Sequence, residues 1–404
     1  MEKQAKRVVC KYMKVFIIGG GATGSVLAHF LSEAKEVEAV VVGDINTRKA
    51  RRFLPEHGSA KISLISLDAS NKEKVTAAIK GFDLLVNASL PRFNKILLEA
   101  ALEAGINYQD LASDWNETKI EQLEFNEKFK AKNLVGLINA SASPGVTNLA
   151  AKILSLKLDR VDSIKIRLLE NVSSDIPFTA WSKETAFDEA TYSPYVWEKN
   201  KFIKRDNFSE EELFNFPEPF TNRKSYLVAQ EEVGTLPLFI KTKHVDIKVA
   251  GSEGEFVYTL YKLGLLKNKL VRIGNALISP YEFMIKIWPD VLSPQEMKKI
   301  FSSGKLRDAH FLAAVIVSGY SDKKKKVLRG DILFPAQSDV NKLLPGANYI
   351  SYAAGATASV FALGIPALKQ KGVYPPEALE ASECETLMDR FKKAGIRIEI
   401  SEVL

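Results

Sequence analysis

Short unbroken apolar runs alternate with helix-spaced stripes through the first third of the chain. Val15, Phe16, Ile17 and Ile18 form the first run, and residues 37–42, 61–67, 82–87, 106–111 and 134–138 repeat the pattern. Runs this short, bounded by turn residues, predict strands buried on both faces. Between them, Val26, Leu27, Phe30 and Leu31 recur with helical spacing, as do residues 72–79 and 93–104. Ile96, Leu97, Ala100 and Ala101 share one face of the latter helix, and Gly105 stops it. Residues 117–132 predict a charged amphipathic helix. Repeated strand–helix winding implies an α/β fold with a doubly wound parallel sheet over residues 1–150.

Past Ala151 the pattern changes. Residues 164–169 alternate as a strand with one face in water. Residues 173–220, with Trp181, Tyr192, Tyr195 and Trp197, predict long loops over a cleft. Residues 225–228, 243–251 and 328–333 predict antiparallel strands, and 256–263 and 296–301 helices on them. Residues 151–345 are therefore expected to form a second, α+β domain. Small residues through 351–361 suit a closely packed helix. Further helices are expected at 376–382 and 387–394, with a last strand at 396–400. The segment 346–404 is expected to return to the first domain.

The first run leads into Gly19-Gly20-Gly21-Ala22-Thr23-Gly24. In such a turn the first glycine allows the tight bend, the second lets a pyrophosphate approach, and the third permits close helix–sheet packing. Ala22 and Thr23 open the helix whose free N–H groups would face the phosphates. Asp44 ends the second run, where a carboxylate accepts from adenosine ribose hydroxyls and favours NAD. Arg48, a turn further on, leaves NADP possible. Asp68 closes the third run, as a helix cap or at the adenine edge. Ala88 and Ser89 follow the fourth run at the carboxyl edge, where ligands bind in open α/β sheets. Ser143, Pro144 and Gly145 predict a helix start beside the nicotinamide, with Pro144 as its first residue and Asn148 near nicotinamide or substrate.

Charge and cysteine usage narrow the classes. Among 404 residues the net charge is +7, and Lys323, Lys324, Lys325 and Lys326 carry four of the positive charges. Without interleaved aromatics they read as a solvated loop, so neither nucleic acid nor membrane is expected as a partner. No unbroken apolar run approaches a membrane span, and no signal-peptide pattern opens the chain. Two cysteines, Cys10 and Cys384, exclude a disulfide framework and point to the cytoplasm. His29, His57, His244 and His310 are scattered without metal-ligand spacing, so no metal is expected.

Six segments in order resemble the saccharopine dehydrogenase-like family. They are 19–24, Ala104-Gly105-Ile106-Asn107-Tyr108-Gln109-Asp110-Leu111, Ser143-Pro144-Gly145-Val146-Thr147-Asn148, Phe216-Pro217-Glu218-Pro219-Phe220, Thr235-Leu236-Pro237 and Gly372-Val373-Tyr374-Pro375-Pro376-Glu377. The resemblance implies a homodimer with a hydride-transfer cleft between a Rossmann domain and an inserted mixed sheet. It also implies oxidation, or reductive formation, of a CH–NH or CH–NH2 group in an amino-acid or polyamine-type substrate. Where many members carry His before a Glu, this chain has Gln230 before Glu231.

Such chemistry needs an unprotonated amine when hydride leaves, and a cation for an amino-acid carboxylate. Asp110, ending the fifth run, is the first candidate to orient or deprotonate the amine, with Asp114 following. Arg223, with Lys224 beside it, is the candidate for the carboxylate. Lys95 and Glu124 read as surface charges. The alternative is a non-catalytic NAD(P) sensor or regulatory subunit.

Overall fold

The computed structural model describes residues 12–54, 60–113 and 119–403. Cys10, His57 and Asp114 therefore lie outside the described residues. The first six strands are β1 (Met13–Ile18), β2 (Val37–Asp44), β3 (Ile62–Ser66), β4 (Leu84–Asn87), β5 (Asn107–Asp110) and β6 (Val135–Leu137). Each falls within the apolar run that predicts it, or a residue or two beyond. Next come β7 (Arg160–Ser174), β8 (Tyr195–Glu198), β9 (Lys201–Lys204), β10 (Glu212–Phe214), β11 (Arg223–Leu227) and β12 (His244–Ala250). A small hairpin, β13 (Val271–Ile273) and β14 (Ala276–Ile278), precedes β15 (Leu306–Ser321) and β16 (Lys324–Leu333). The chain closes with β17 (Gly372–Tyr374) and β18 (Arg397–Glu402).

In the described residues, the first sheet is parallel with order β17-β6-β5-β4-β1-β2-β3. Strand order reverses between β1 and β4, so a crevice opens outside their carboxyl ends. That is where an open α/β sheet binds its ligand. The helix Tyr349–Gly364 packs on the helix Ala22–Glu33 that follows β1. Its small residues allow this: a Cβ on Gly355 would lie 2.7 Å from Val26 Cβ. The segment Tyr349–Ala367 is long and apolar enough to cross a membrane by length and composition, and 72% of it is buried in protein. Its alanines and glycine serve close helix packing here.

The second sheet is mixed, with order β10-β11-β12-β7-β15-β16-β18 and the β8–β9 hairpin on β12. It differs from the antiparallel expectation because β12 pairs with β7 in parallel. β7 is also longer than the alternation predicts. It lies between β12 and β15, so its middle is buried on both faces. Residues 173–220 are not all loop: they hold the helix Lys183–Thr191 and strands β8, β9 and β10. The lysine run turns at Asp322 and Lys323, both at positive φ, and then enters β16. The expected 376–382 and 387–394 helices become one short turn and one helix, Ala381–Lys393. The C-terminal segment divides between the sheets: β17 joins β6, and β18 pairs with β16.

At the centre of the second sheet sits Arg167, 1% exposed. It pairs with Asp246 and Glu212, and Lys248 reaches Glu212 at 3.0 Å. These charges, from β7, β12 and β10, satisfy one another, which lets an otherwise apolar layer contain them.

A candidate dinucleotide crevice and adjoining amine cleft

β1 leads directly into the glycine turn. Gly19 sits at φ +101°, and a Cβ there would lie 2.8 Å from Ala88 O. A Cβ on Gly24 would lie 2.0 Å from Gly19 O. Both glycines are thus required by the fold itself. Gly21 differs: a Cβ there would meet nothing within 4 Å. It N-caps the helix Ala22–Glu33 without a side-chain cap bond, so the first-turn amides at Ala22, Thr23 and Gly24 lack a side-chain acceptor at this end. Open space beside uncapped amides is what a diphosphate needs.

Asp44 accepts from Gly20 N at 2.8 Å and from Asn46 N at 2.7 Å, tying β2 to the turn. A carboxylate has about four acceptor sites, so two remain for ribose hydroxyls. Ala88 N donates to Ile18 O, which holds the β4 end beside the turn. Ser89 donates from N and Oγ to Asn87 Oδ1. Asp68 accepts from Ser70 N and Oγ at 2.9 and 2.7 Å, and these bonds hold its carboxyl below the usual range. The structure therefore shows Asp68 as a turn cap; the helix Lys72–Ala78 is capped by Asn71.

A cavity of about 1180 Å³ opens beside Ala22 and Ser25 and is lined by Arg48, Arg51 and Arg52. Arg52 pairs with Glu296 at 3.0 Å. Arg48 and Arg51 have no carboxylate partner among the described residues. An unpaired guanidinium just past Asp44 suits a ribose 2′-phosphate. Arg48→Ala is expected to raise the Kd for NADPH about tenfold and leave that for NADH nearly unchanged, as measured by fluorescence titration.

Asp110 sits inside a hydrogen-bond network at the end of β5. It is fully buried, covered by the loop after β6. Its oxygens accept from Asn139 N at 2.8 Å and Gln122 Nε2 at 3.3 Å. Burial nevertheless pushes its carboxyl up to about 7. Gln122 also donates to Ser113 Oγ, and Ser113 to Asn139 Oδ1. Asp110 thus ties the ends of β5 and β6 together. The same network corrects the helix expected at 117–132. Only Asn126–Ala131 is α-helical, preceded by a tighter turn Glu121–Phe125 that aims Gln122 inward.

The loop after β6 is held from below. Gly145, at φ +131°, N-caps the helix Val146–Ser155, so this helix starts two residues after Pro144. Asn148 is fully buried: Oδ1 accepts from Gly145 N at 2.9 Å and Nδ2 donates to Thr235 Oγ1 at 3.4 Å. Its side chain therefore shapes the loop. Glu232, also fully buried, accepts from Ser143 Oγ at 2.5 Å and Thr147 Oγ1 at 2.8 Å.

The cleft at the carboxyl ends of β4 and β5 has a volume of about 230 Å³. Leu90, Pro91, Arg92 and Ser113 form one side, and Asp188, Glu189, Gln230 and Glu231 face them. Arg223 is not among these residues. It lies on β11 with its guanidinium 5.6 Å from the Phe220 ring, and Lys224 pairs with Glu211. Arg92 is the cation the cleft supplies instead. Lys95 and Glu124 are exposed and paired with Glu121 and Lys119. Glu189 accepts from Gln230 Nε2 at 2.9 Å. Burial, then the charges of Glu231, Glu170 and Glu232, raise its carboxyl well above the ordinary value. Glu189 and Gln230 also line a smaller inner pocket of about 90 Å³. Sequence reasoning missed Arg92 and Glu189; the Pro91 that ends β4's loop and the Gln230-Glu231 segment were the available signals.

Residues 15–137 match the family model described as the saccharopine dehydrogenase NADP binding domain. The chain is 26% identical over 296 residues to carboxyaminopropylagmatine dehydrogenase of a Synechocystis species, covering 70% of this chain and 74% of that one. It is 23% identical over 312 residues to carboxynorspermidine synthase of Vibrio alginolyticus, with the same coverage of 70% and 74%. Among solved structures it is similar to apo saccharopine dehydrogenase (L-Glu forming) of Saccharomyces cerevisiae. That match has a TM-score of 0.71 and 13% identity, over 97% of this chain and 100% of that one. The homospermidine synthase of Legionella pneumophila, solved with NAD, matches with a TM-score of 0.65 and 11% identity, over 97% and 92%. At such identities the structural matches speak for the fold.

Proposed function

We propose that this NAD(P)-dependent dehydrogenase of the saccharopine dehydrogenase type interconverts an imine and a secondary amine. The substrate joins an amino-acid carboxylate to an amine of the polyamine kind. The observation that carries the reading is the cleft at the β4 and β5 ends, with Arg92 on one wall and Glu189 and Glu231 on the other. The crevice fits a dinucleotide: uncapped amides, open space at Gly21 and free acceptor sites on Asp44 converge there. A bound nicotinamide supplies the hydride acceptor or donor.

This chain's residues bind, orient and move a proton. Arg92 holds the substrate carboxylate. In the oxidative direction Glu189 takes the proton from the ammonium nitrogen, so that hydride leaves from carbon beside a neutral amine. In the reductive direction the protonated Glu189 returns it. The Glu232 bonds to Ser143 and Thr147 keep the loop after β6 in place beside the cleft. Residues 1–150 would serve the cofactor and 151–345 the substrate and a homodimer contact, in a cytoplasmic enzyme. The relatives favour an enzyme over a non-catalytic sensor. NADPH or NADH oxidation with a panel of amines and aldehydes or oxo acids tests the reading. Turnover requires both partners, and no turnover with any pair refutes it.

A further inference from the structure

The inner pocket contains more acid than the mechanism uses. Glu170 comes from β7 and Glu253 from the helix Ser252–Lys262. Neither carboxyl has a hydrogen-bond or ion-pair partner among the described residues. They lie close enough for the charge of Glu253 to act on Glu170, and the Glu189 carboxyl is within range as well. The pocket's own cation, Lys183, is occupied: it pairs with Asp290 at 2.9 Å and donates to Trp288 O at 3.1 Å. The other walls are aromatic. Trp288 lies 5.2 Å from Phe256 and 5.6 Å from Phe187, and Phe178 and Trp181 also line the space.

Unpartnered carboxyls in a low-dielectric pocket are costly. Aromatic faces add attraction for a cation and repel an anion. A volume of about 90 Å³ excludes a bulky group. It is about the space of three water molecules at ~30 Å³ each, enough for a chain end. We infer that this pocket is the recognition site for the distal cation, ammonium or guanidinium, of the substrate's amine half, held by Glu170 and Glu253. The inference rests on reading the neighbouring cleft as the seat of C–N chemistry. Glu189 and Gln230, shared by the two spaces, join them. One carboxyl, Glu189, then faces the reacting nitrogen, while two others hold the far end.

Burial raises Glu170 to about 8 and Glu253 to about 7, so at neutral pH the two carboxyls carry only part of their negative charge. The other titratable groups facing them are Glu189 and the Tyr349 hydroxyl, both also raised by burial, and the paired Lys183. Entry of a cation draws protons off the carboxyls. A dication should therefore bind more tightly as pH rises from about 6 to about 8, releasing protons.

The test compares putrescine and agmatine, which carry a distal cation, with butylamine, which does not. On the NADPH-bound wild-type protein, putrescine or agmatine should raise the unfolding midpoint more than butylamine, and the difference should grow with pH. Which of the two raises it more separates an ammonium from a guanidinium end. In turnover the KM of the better dication should be at least about tenfold below that of butylamine. E253Q and E170Q should each shrink that preference toward unity. Equal shifts for dication and monoamine in the wild type, or a preference retained in both variants, overturn the inference. The binding arm needs no turnover. Dication-selective shifts without turnover would therefore sink the proposed reaction and leave the pocket assignment standing.

Discussion

Gly21→Val abolishes dinucleotide binding and leaves the fold intact: this is the expected result of placing a branched side chain at the one turn glycine with nothing around it. A Cβ at Gly21 has no protein atom within 4 Å, and the residue is not at positive φ. Valine therefore fits the empty protein but fills the approach to the uncapped amides. The Kd for NADPH should rise at least about 100-fold, equivalent to ~2.7 kcal/mol. The unfolding midpoint without cofactor should stay near that of the wild type. Gly24→Val should behave differently, because its Cβ would lie 2.0 Å from Gly19 O and the turn itself must break. Calorimetric titration of both variants, beside their melting curves, separates the ligand's space from the fold's. Unchanged affinity in Gly21→Val would remove the phosphate-binding assignment.

The second large effect is on stability. Arg167→Leu removes the guanidinium between Asp246 and Glu212 and strands Asp246, which is 5% exposed. Breaking a buried pair from one side costs about 3–5 kcal/mol, because the remaining charge has lost its partner. Lys248 still serves Glu212, and His244 still reaches Asp246 at 2.6 Å, so the lower half of that range is expected. In the wild type His244 and Arg167 hold the Asp246 carboxyl down at about 2. A depressed carboxyl pKa stabilises the fold above the ordinary carboxylate range of about 4 and loses that contribution as pH falls through the folded value. The deficit of Arg167→Leu should accordingly be full near neutrality and narrow below about pH 4. Urea unfolding at several pH values checks both points. A pH-independent deficit would assign the cost to packing instead.

Local features of the sequence foretold much of the first sheet. β1, its glycine turn and Asp44 sit within a few dozen residues of one another, and a strand buried on both faces leaves an unbroken apolar run. The helix expected at 117–132 failed for a tertiary reason. Helical spacing there competes with a buried network that needs Gln122 turned toward Asp110 and Ser113. At Asp110 the end of a strand marks the ligand edge without saying whether a neighbour covers it. Here the loop after β6 does, through Asn139. Asn148 is buried in the same way, held by Gly145 N and Thr235.

The cleft between Arg92 and Glu189 leaves no local trace in the sequence. Arg92 follows β4, Glu189 lies in a helix inside a stretch that read as loop, and Glu170 and Glu253 come from a central strand and another helix. Only the second sheet's mixed order brings β7 and β12 side by side, and with them these carboxyls. No spacing rule spans such distances along the chain. The excess of unpaired acid becomes visible only when the pocket's partners are counted in space.

The central claim is that hydride passes between nicotinamide C4 and a carbon bonded to nitrogen in the cleft between Arg92 and Glu189. The most direct measurement uses NADPH or NADH deuterated at C4 with an amine and an aldehyde or oxo acid, followed by mass and NMR analysis of the product. The account expects one deuterium on the carbon attached to the new secondary amine, none elsewhere, and loss of that product in Glu189→Gln. Cofactor oxidation that leaves deuterium in an alcohol or in solvent, with no new C–N bond, would contradict it.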